Sequence, residues 1–183
     1  MIFRCIKSNP SIPKNRKKEE YIFSKITWLL FVIGLALAGC QSQAAVNPTR
    51  LAEVAAKGAV VMPFDLERTT HIFEKMDNGG LQQVISDDGD AVQIELIRAH
   101  LAEEAGRFSQ GDFHDPQMIH GDNMAGLHQL MTGYQHITLE YSDIENGGQI
   151  LYTTADSEMV TALHNWFDAQ LSDHGPHAQP KIE

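Results

Sequence analysis

Past residue 60, the spacing of hydrophobic positions switches twice between a period of two and a period of three to four. Residues from about Thr69 to Met76 and from Leu81 to Ser86 read as strands, and Asp77-Asn78-Gly79-Gly80 between them supplies turn residues. Strands flanking such a turn predict a β-hairpin. From Ala91 to about Ser109 the residues Ile94, Ile97, Leu101, Ala105 and Phe108 recur at three and four, which predicts an amphipathic helix, with Asp90 placed to cap it. The order then repeats. Ile137, Leu139 and Tyr141 alternate, Asn146-Gly147-Gly148 turns the chain, and Ile150, Tyr152 and Thr154 alternate again. Asp156 is positioned to cap a last helix from near Ser157, with Val160, Leu163, Phe167 and Leu171 as its buried stripe. Two hairpins, each followed by a helix, predict an α+β domain: one antiparallel sheet with helices packed on one face. A brief helix is expected over Leu51–Lys57, ended by Gly58, with Val60 to Phe64 beginning an extended segment. Gly111 to Gly126 reads as a polar loop with only Asn123 to Thr132 helical.

The N-terminal part follows a different logic. A basic stretch (Lys14, Arg16, Lys17, Lys18, Lys25) precedes an apolar run from Ile26 to Ala38, the layout of a secretory signal. The run is short of the roughly 20 apolar residues that span a membrane, so cleavage fits it better than an uncleaved anchor helix. Leu37-Ala38-Gly39-Cys40 resembles the lipobox of bacterial lipoproteins. That resemblance implies acylation of Cys40, removal of residues 1–39, and a lipid-anchored periplasmic protein; Gln41 after the cysteine favours the outer membrane. The organisation expected is a signal peptide (1–39), a tether with a short helix (40–59), one α+β domain (60–177) and a tail (178–183). Cys5 falls in the removed part, so the mature domain has no disulfide.

Of the chain's 14 Lys/Arg and 24 Asp/Glu, 7 and 2 fall in the first 39 residues, which leaves 7 and 22 and a formal charge of −15. Nucleic acid is an unsuitable partner for so acidic a surface. Cations are favoured near it.

All nine histidines lie in this mature part, and they are the candidate chemistry. His164 sits on the predicted apolar face of the last helix, where it is either a ligand in a pocket or a core histidine bonded to a backbone carbonyl. His174 lies ten residues further along, about 15 Å at 1.5 Å per residue, too far to share an ion with His164 on an unbroken helix. His100 stands one turn before Glu104. The segment from His114 to Asp122 holds His114, Asp115, Met118, His120 and Asp122, which are zinc or copper ligand types. His71 falls within a predicted strand. No Cys-rich zinc site, nucleophile elbow or Gly-rich phosphate loop is present. A metal, whether zinc, copper or iron, would therefore be held by imidazoles and carboxylates from several elements. Haem with axial histidine also remains open, although Cys-x-x-Cys-His is absent.

Pro63-Phe64-Asp65-Leu66-Glu67-Arg68-Thr69-Thr70-His71, Ile119-His120-Gly121, and Leu163-His164-Asn165-Trp166-Phe167-Asp168-Ala169-Gln170 with Asp173-His174-Gly175 resemble a family of small bacterial proteins of unproven function. Its members are often labelled aspartate carbamoyltransferase. The Ser-Thr-Arg-Thr phosphate loop of true transcarbamoylases has no counterpart here, and the chain is half the needed size, so that activity is not expected. The expectation is a non-catalytic domain that binds a transition-metal ion or metal-containing ligand through His71, His120, His164 and His174, with His114 and His100 in reserve. The alternatives are a metal-dependent hydrolase using Asp115 or Asp122 as base, and an envelope domain that binds a protein without a metal.

Overall fold

The computed structural model describes residues 47–181. Cys40, the signal segment and the first part of the tether lie outside the described residues.

Helix α1 (Pro48–Val61) opens the described chain. The Asn47 side chain accepts from the amides of Thr49 and Arg50, and Pro48 occupies the first turn, where its missing N–H costs nothing. A 3-10 turn (Leu66–Arg68) leads into strand β1 (Thr69–Met76), which pairs antiparallel with β2 (Gly79–Ser86). Helix α2 (Ala91–Phe108) follows, capped by Asp90, and then two short helices, α3 (His114–His120) and α4 (Leu127–Gly133). A second hairpin, β3 (Thr138–Ile144) and β4 (Gly147–Thr153), precedes helix α5 (Ser157–His174). A two-residue strand β5 (Ala178–Gln179) closes the fold, parallel to β1.

The sheet order is β3-β4-β2-β1-β5. The hairpins meet through β2 and β4, which run antiparallel with Gly79 opposite Thr153 and Ile85 opposite Gly147. This junction explains the Asn-Gly-Gly at both turns. A Cβ on Gly79 would come within 1.9 Å of the Tyr152 carbonyl oxygen, and one on Gly147 within 2.0 Å of that of Val84.

Cross-strand register puts His71, Phe73, Gln82, Val84, Ile150 and Tyr152 on one sheet face. Ile97, Leu101 and Phe108 of α2 and Leu163, Trp166 and Phe167 of α5 join Phe73, Val84, Ile150 and Tyr152 in the core. Burying side chains of this size stabilises by about 1.5–3 kcal/mol each. The α+β architecture with two hairpins is as expected.

Four elements differ from expectation. Gly58 does not end α1, because it is the buried point where the helix passes within contact of Leu66, and Val60 and Val61 are helical rather than extended. Residues 114–120 form α3 instead of a loop, with Pro116 in the first turn where proline is tolerated. Helix α4 is shorter than the segment expected. The chain beyond His177 adds a strand to the sheet edge, so part of the expected tail belongs to the domain.

Candidate functional site

The first described helix, α1, packs against both the last helix, α5, and α3. Arg50 of α1 donates to both carboxylate oxygens of Asp173 on α5, through Nε to Oδ1 at 3.0 Å and through Nη2 to Oδ2, and its Nη2 also reaches the His120 carbonyl at 2.7 Å. His120, at the end of α3, places Nδ1 2.8 Å from Asp173 Oδ2. Burial raises the Asp173 pKa, but hydrogen bonds from His120 and Arg50 outweigh it and hold the carboxyl well below the usual range. An ionised carboxylate only accepts, so Nδ1 of His120 donates the proton to it and Nε2 is the ring nitrogen turned away from Asp173. A carboxylate that fixes an imidazole in this way is the usual support behind a metal-binding histidine.

His120 lines a cavity of about 30 Å³ together with His71, His100, His174, Glu104 and Trp166. That is room for one ion or about two water-sized atoms. His71 arrives from the inward face of β1, His100 and Glu104 from α2, and His174 and Trp166 from α5. Two of the imidazoles have a buried nitrogen without a hydrogen-bond partner: Nδ1 of His71 and Nε2 of His100. His174 Nε2 lies 3.1 Å from Gln170 Oε1, which leaves Nδ1 as its free lone pair.

The electrostatics favour the neutral forms of His71, His100, His174 and Glu104. Burial pushes the His71 pKa down to about 4, helped by the neighbouring imidazoles His100, His177 and His120. Burial likewise lowers His100 and, with His71 and His120 beside it, takes His174 well below the usual value. Glu104 moves the other way, to about 8, through burial and then the charge of Asp115, against the opposing charge of Arg107. His100 Nε2 and Glu104 Oε1 are 3.6 Å apart, too far for a hydrogen bond. A neutral imidazole is the form that binds a metal.

No protein family, curated protein or solved structure matches this chain. The site is therefore read from its own geometry.

That geometry is partly suited to an ion. Two imidazoles on a tetrahedral zinc ion, each bonded at about 2.1 Å, have ring centroids about 5 Å apart. The His71 and His174 centroids are 4.7 Å apart, and those of His120 and His174 are 5.2 Å apart. The spacing fits, but one orientation does not. His71 and His174 stack at 11°, and lone pairs lying in nearly parallel planes cannot converge on one point. Among the described residues, no group of three or more His, Cys, Asp or Glu stands ready to hold a metal ion. Binding would require one of the two stacked rings to turn. His71 and His174 also line a second pocket of about 210 Å³ beneath α1, walled by Leu51, Val54, Leu66 and Pro176.

Of the six candidate ligands, His71, His100, His120 and His174 come together here, and His164 and His114 do not. His164 Nε2 lies 3.0 Å from the Met76 carbonyl and 2.9 Å from that of Gly79, so it clamps the first hairpin turn to α5 as a core histidine would. His114 is exposed at the start of α3. The hydrolase candidates also lie elsewhere. Asp115 pairs with Arg107 at 2.8 Å, Asp122 accepts from Gln117 at 2.7 Å, and neither lines the cavity. Arg50, Asp173, Gln82, Gln170 and Trp166 are additional site residues that histidine counting does not find. Among the described residues, no helix is long and apolar enough to cross a membrane.

Proposed function

We propose that this chain is a periplasmic lipoprotein, held to the membrane through Cys40, whose domain binds a transition-metal ion with His71, His120 and His174, and with His100 as the fourth donor. One observation carries the reading. Four histidines from four separate elements meet at one ion-sized cavity, and Asp173 and Arg50 fix the first of them, His120, in the tautomer that a metal ligand needs. The neutral state of His71, His100 and His174 favours it further, as does the −15 charge of residues 40–183, which draws cations to the domain.

Zinc, copper(II) and iron all accept such ligands. The cavity's size favours a bare ion over haem. We take the domain to be a binder rather than a hydrolase, because Asp115 and Asp122 do not line the cavity.

The test is an affinity series on the processed protein. His120→Ala, His174→Ala and His71→Ala should each weaken the tightest ion at least tenfold, while His164→Ala and His114→Ala leave it unchanged. Equal affinities across all five variants would refute the assignment.

A further inference from the structure

Packed domains leave few voids larger than a water molecule, yet the pocket beneath α1 measures about 210 Å³. That is several times the roughly 30 Å³ share of one water. The helix sequence accounts for it. Leu51, Val54, Ala55 and Gly58 recur at three and four, so they share one helix face. Gly58 lies against Leu66, while Ala52 and Ala55 are short and leave space that larger side chains would fill.

The walls define what fits. Leu51, Val54, Leu66 and Pro176 make the pocket mainly apolar, so ordered water has few partners along most of it. The stacked rings of His71 and His174 line it too. His71 is 4 % exposed and its Nδ1 has no hydrogen-bond partner, and Nδ1 of His174 is left free by the bond from Nε2 to Gln170. Burial favours the neutral form of both rings. Among the described residues no lysine or arginine lines the pocket, whereas Glu67 and Asp173 do, so an anion is disfavoured. A cation gains little. Asp173 is already satisfied by Arg50 and His120, and Glu67 is exposed, where a charge pair is worth little.

Size narrows the ligand further. A cavity of about 150 Å³ takes up benzene, and drug-sized ligands need about 300 Å³ or more. At about 210 Å³ the pocket suits a single substituted ring or a fused pair. We propose that it takes up a small neutral ring compound bearing a hydroxyl, a phenol or cyclic alcohol, with the ring body against Leu51, Val54 and Leu66 and the hydroxyl against the His71–His174 pair. A hydroxyl both donates and accepts, so it completes His71 Nδ1 in either tautomer and can donate to His174 Nδ1. The site uses the two rings as they stand and needs no ion, so it goes beyond the metal reading and does not rest on it.

2-Naphthol is the probe. The processed chain, residues 40–183, carries Cys40→Ser so that neither lipid nor detergent competes, and is titrated in chelator while the methyl resonances of Leu51, Val54 and Leu66 are followed. Saturable shifts with one naphthol per chain are expected. Naphthalene is more apolar but has no hydroxyl, and should bind about tenfold more weakly, the factor that an unsatisfied buried partner costs. 2-Naphthoate should be weaker by a similar factor. Ala55 is exposed, so Ala55→Phe fills the pocket without disturbing the core and should abolish the shifts. Methyl resonances that do not move saturably, or that move equally in Ala55→Phe, overturn the site. Naphthalene binding as tightly as naphthol overturns the role of the imidazole pair, and naphthoate doing so overturns the selection for a neutral ligand. Should Ala55→Phe not fold, the wild-type resonances decide alone. Naphthol ignored by a chain that retains an ion overturns this inference and leaves the ion site standing; naphthol bound by a chain that retains none supports it while the ion site falls.

Discussion

Replacing Glu104 with glutamine should make the domain more stable, by an amount that grows with pH. Glu104 is 5 % exposed and its pKa rises from 4.5 to about 8. At pH 7 the folded protein therefore holds a proton that the unfolded chain has released. Each pH unit of that difference is worth 1.36 kcal/mol, so the 2.5 units between 4.5 and 7 cost about 3 kcal/mol. That is a large share of the roughly 5–15 kcal/mol that holds a domain together. Because the folded pKa is raised, the carboxyl's stability relative to an amide is fully present below pH 4.5 and is lost as pH climbs to about 8. Glutamine keeps the shape and has no proton to lose. Urea unfolding of both chains in chelator between pH 4.5 and 9 measures the difference, and the shared histidine titrations largely cancel in it. Near-equality is expected at pH 4.5, with Glu104→Gln ahead by about 3 kcal/mol at pH 7. A less stable Glu104→Gln at pH 7, or a difference flat with pH, would refute the reasoning. Either result would mean that His100 and Glu104 form a charged pair across their 3.6 Å separation and that the cavity is not a neutral, desolvated space.

His71 titrates in the opposite sense: its pKa is depressed to about 4, so its contribution is present above pH 6.5 and is lost as pH falls. Wild type should lose about 3 kcal/mol through this residue between pH 6.5 and 4, and His71→Gln should lose correspondingly less in the same urea series. Asp173→Asn removes the carboxylate that orients His120 and should lower metal affinity roughly 10- to 100-fold in a competition titration, with the far-UV circular dichroism unchanged. His164→Ala frees the Met76 and Gly79 carbonyls and should cost about 1–3 kcal/mol in urea unfolding, with metal affinity intact.

The hairpins and the two long helices are legible in the sequence because local physics specifies them: Asn-Gly-Gly at the turns, alternation in the strands, Asp90 and Asp156 at the caps. Where one residue carries two meanings, the reading goes astray. Gly58 looks like a helix stop and is a packing point. Pro116 looks like a loop and sits in a helix's first turn, while β5 exists only because β1 has an open edge for it. Asn47-Pro48 is a helix-start signal that would have placed α1 correctly. The site divides in the same way. Histidine density singles out His71, His100, His120 and His174, but no local pattern tells them from His164, since the apolar face of α5 carries both. Arg50 and Asp173 are 123 positions apart, and their pairing exists only in the fold. Trp166 reads simply as core, and that it lines a cavity and has an unpartnered buried nitrogen is visible only in the fold.

Metal content tests the central claim most directly. The processed, tag-free protein is exposed to zinc, copper and iron, dialysed exhaustively and assayed by elemental mass spectrometry. The account predicts close to one ion per chain, reduced to trace by His120→Ala. Retention far below one per chain, or a full ion still held by His120→Ala, would contradict it.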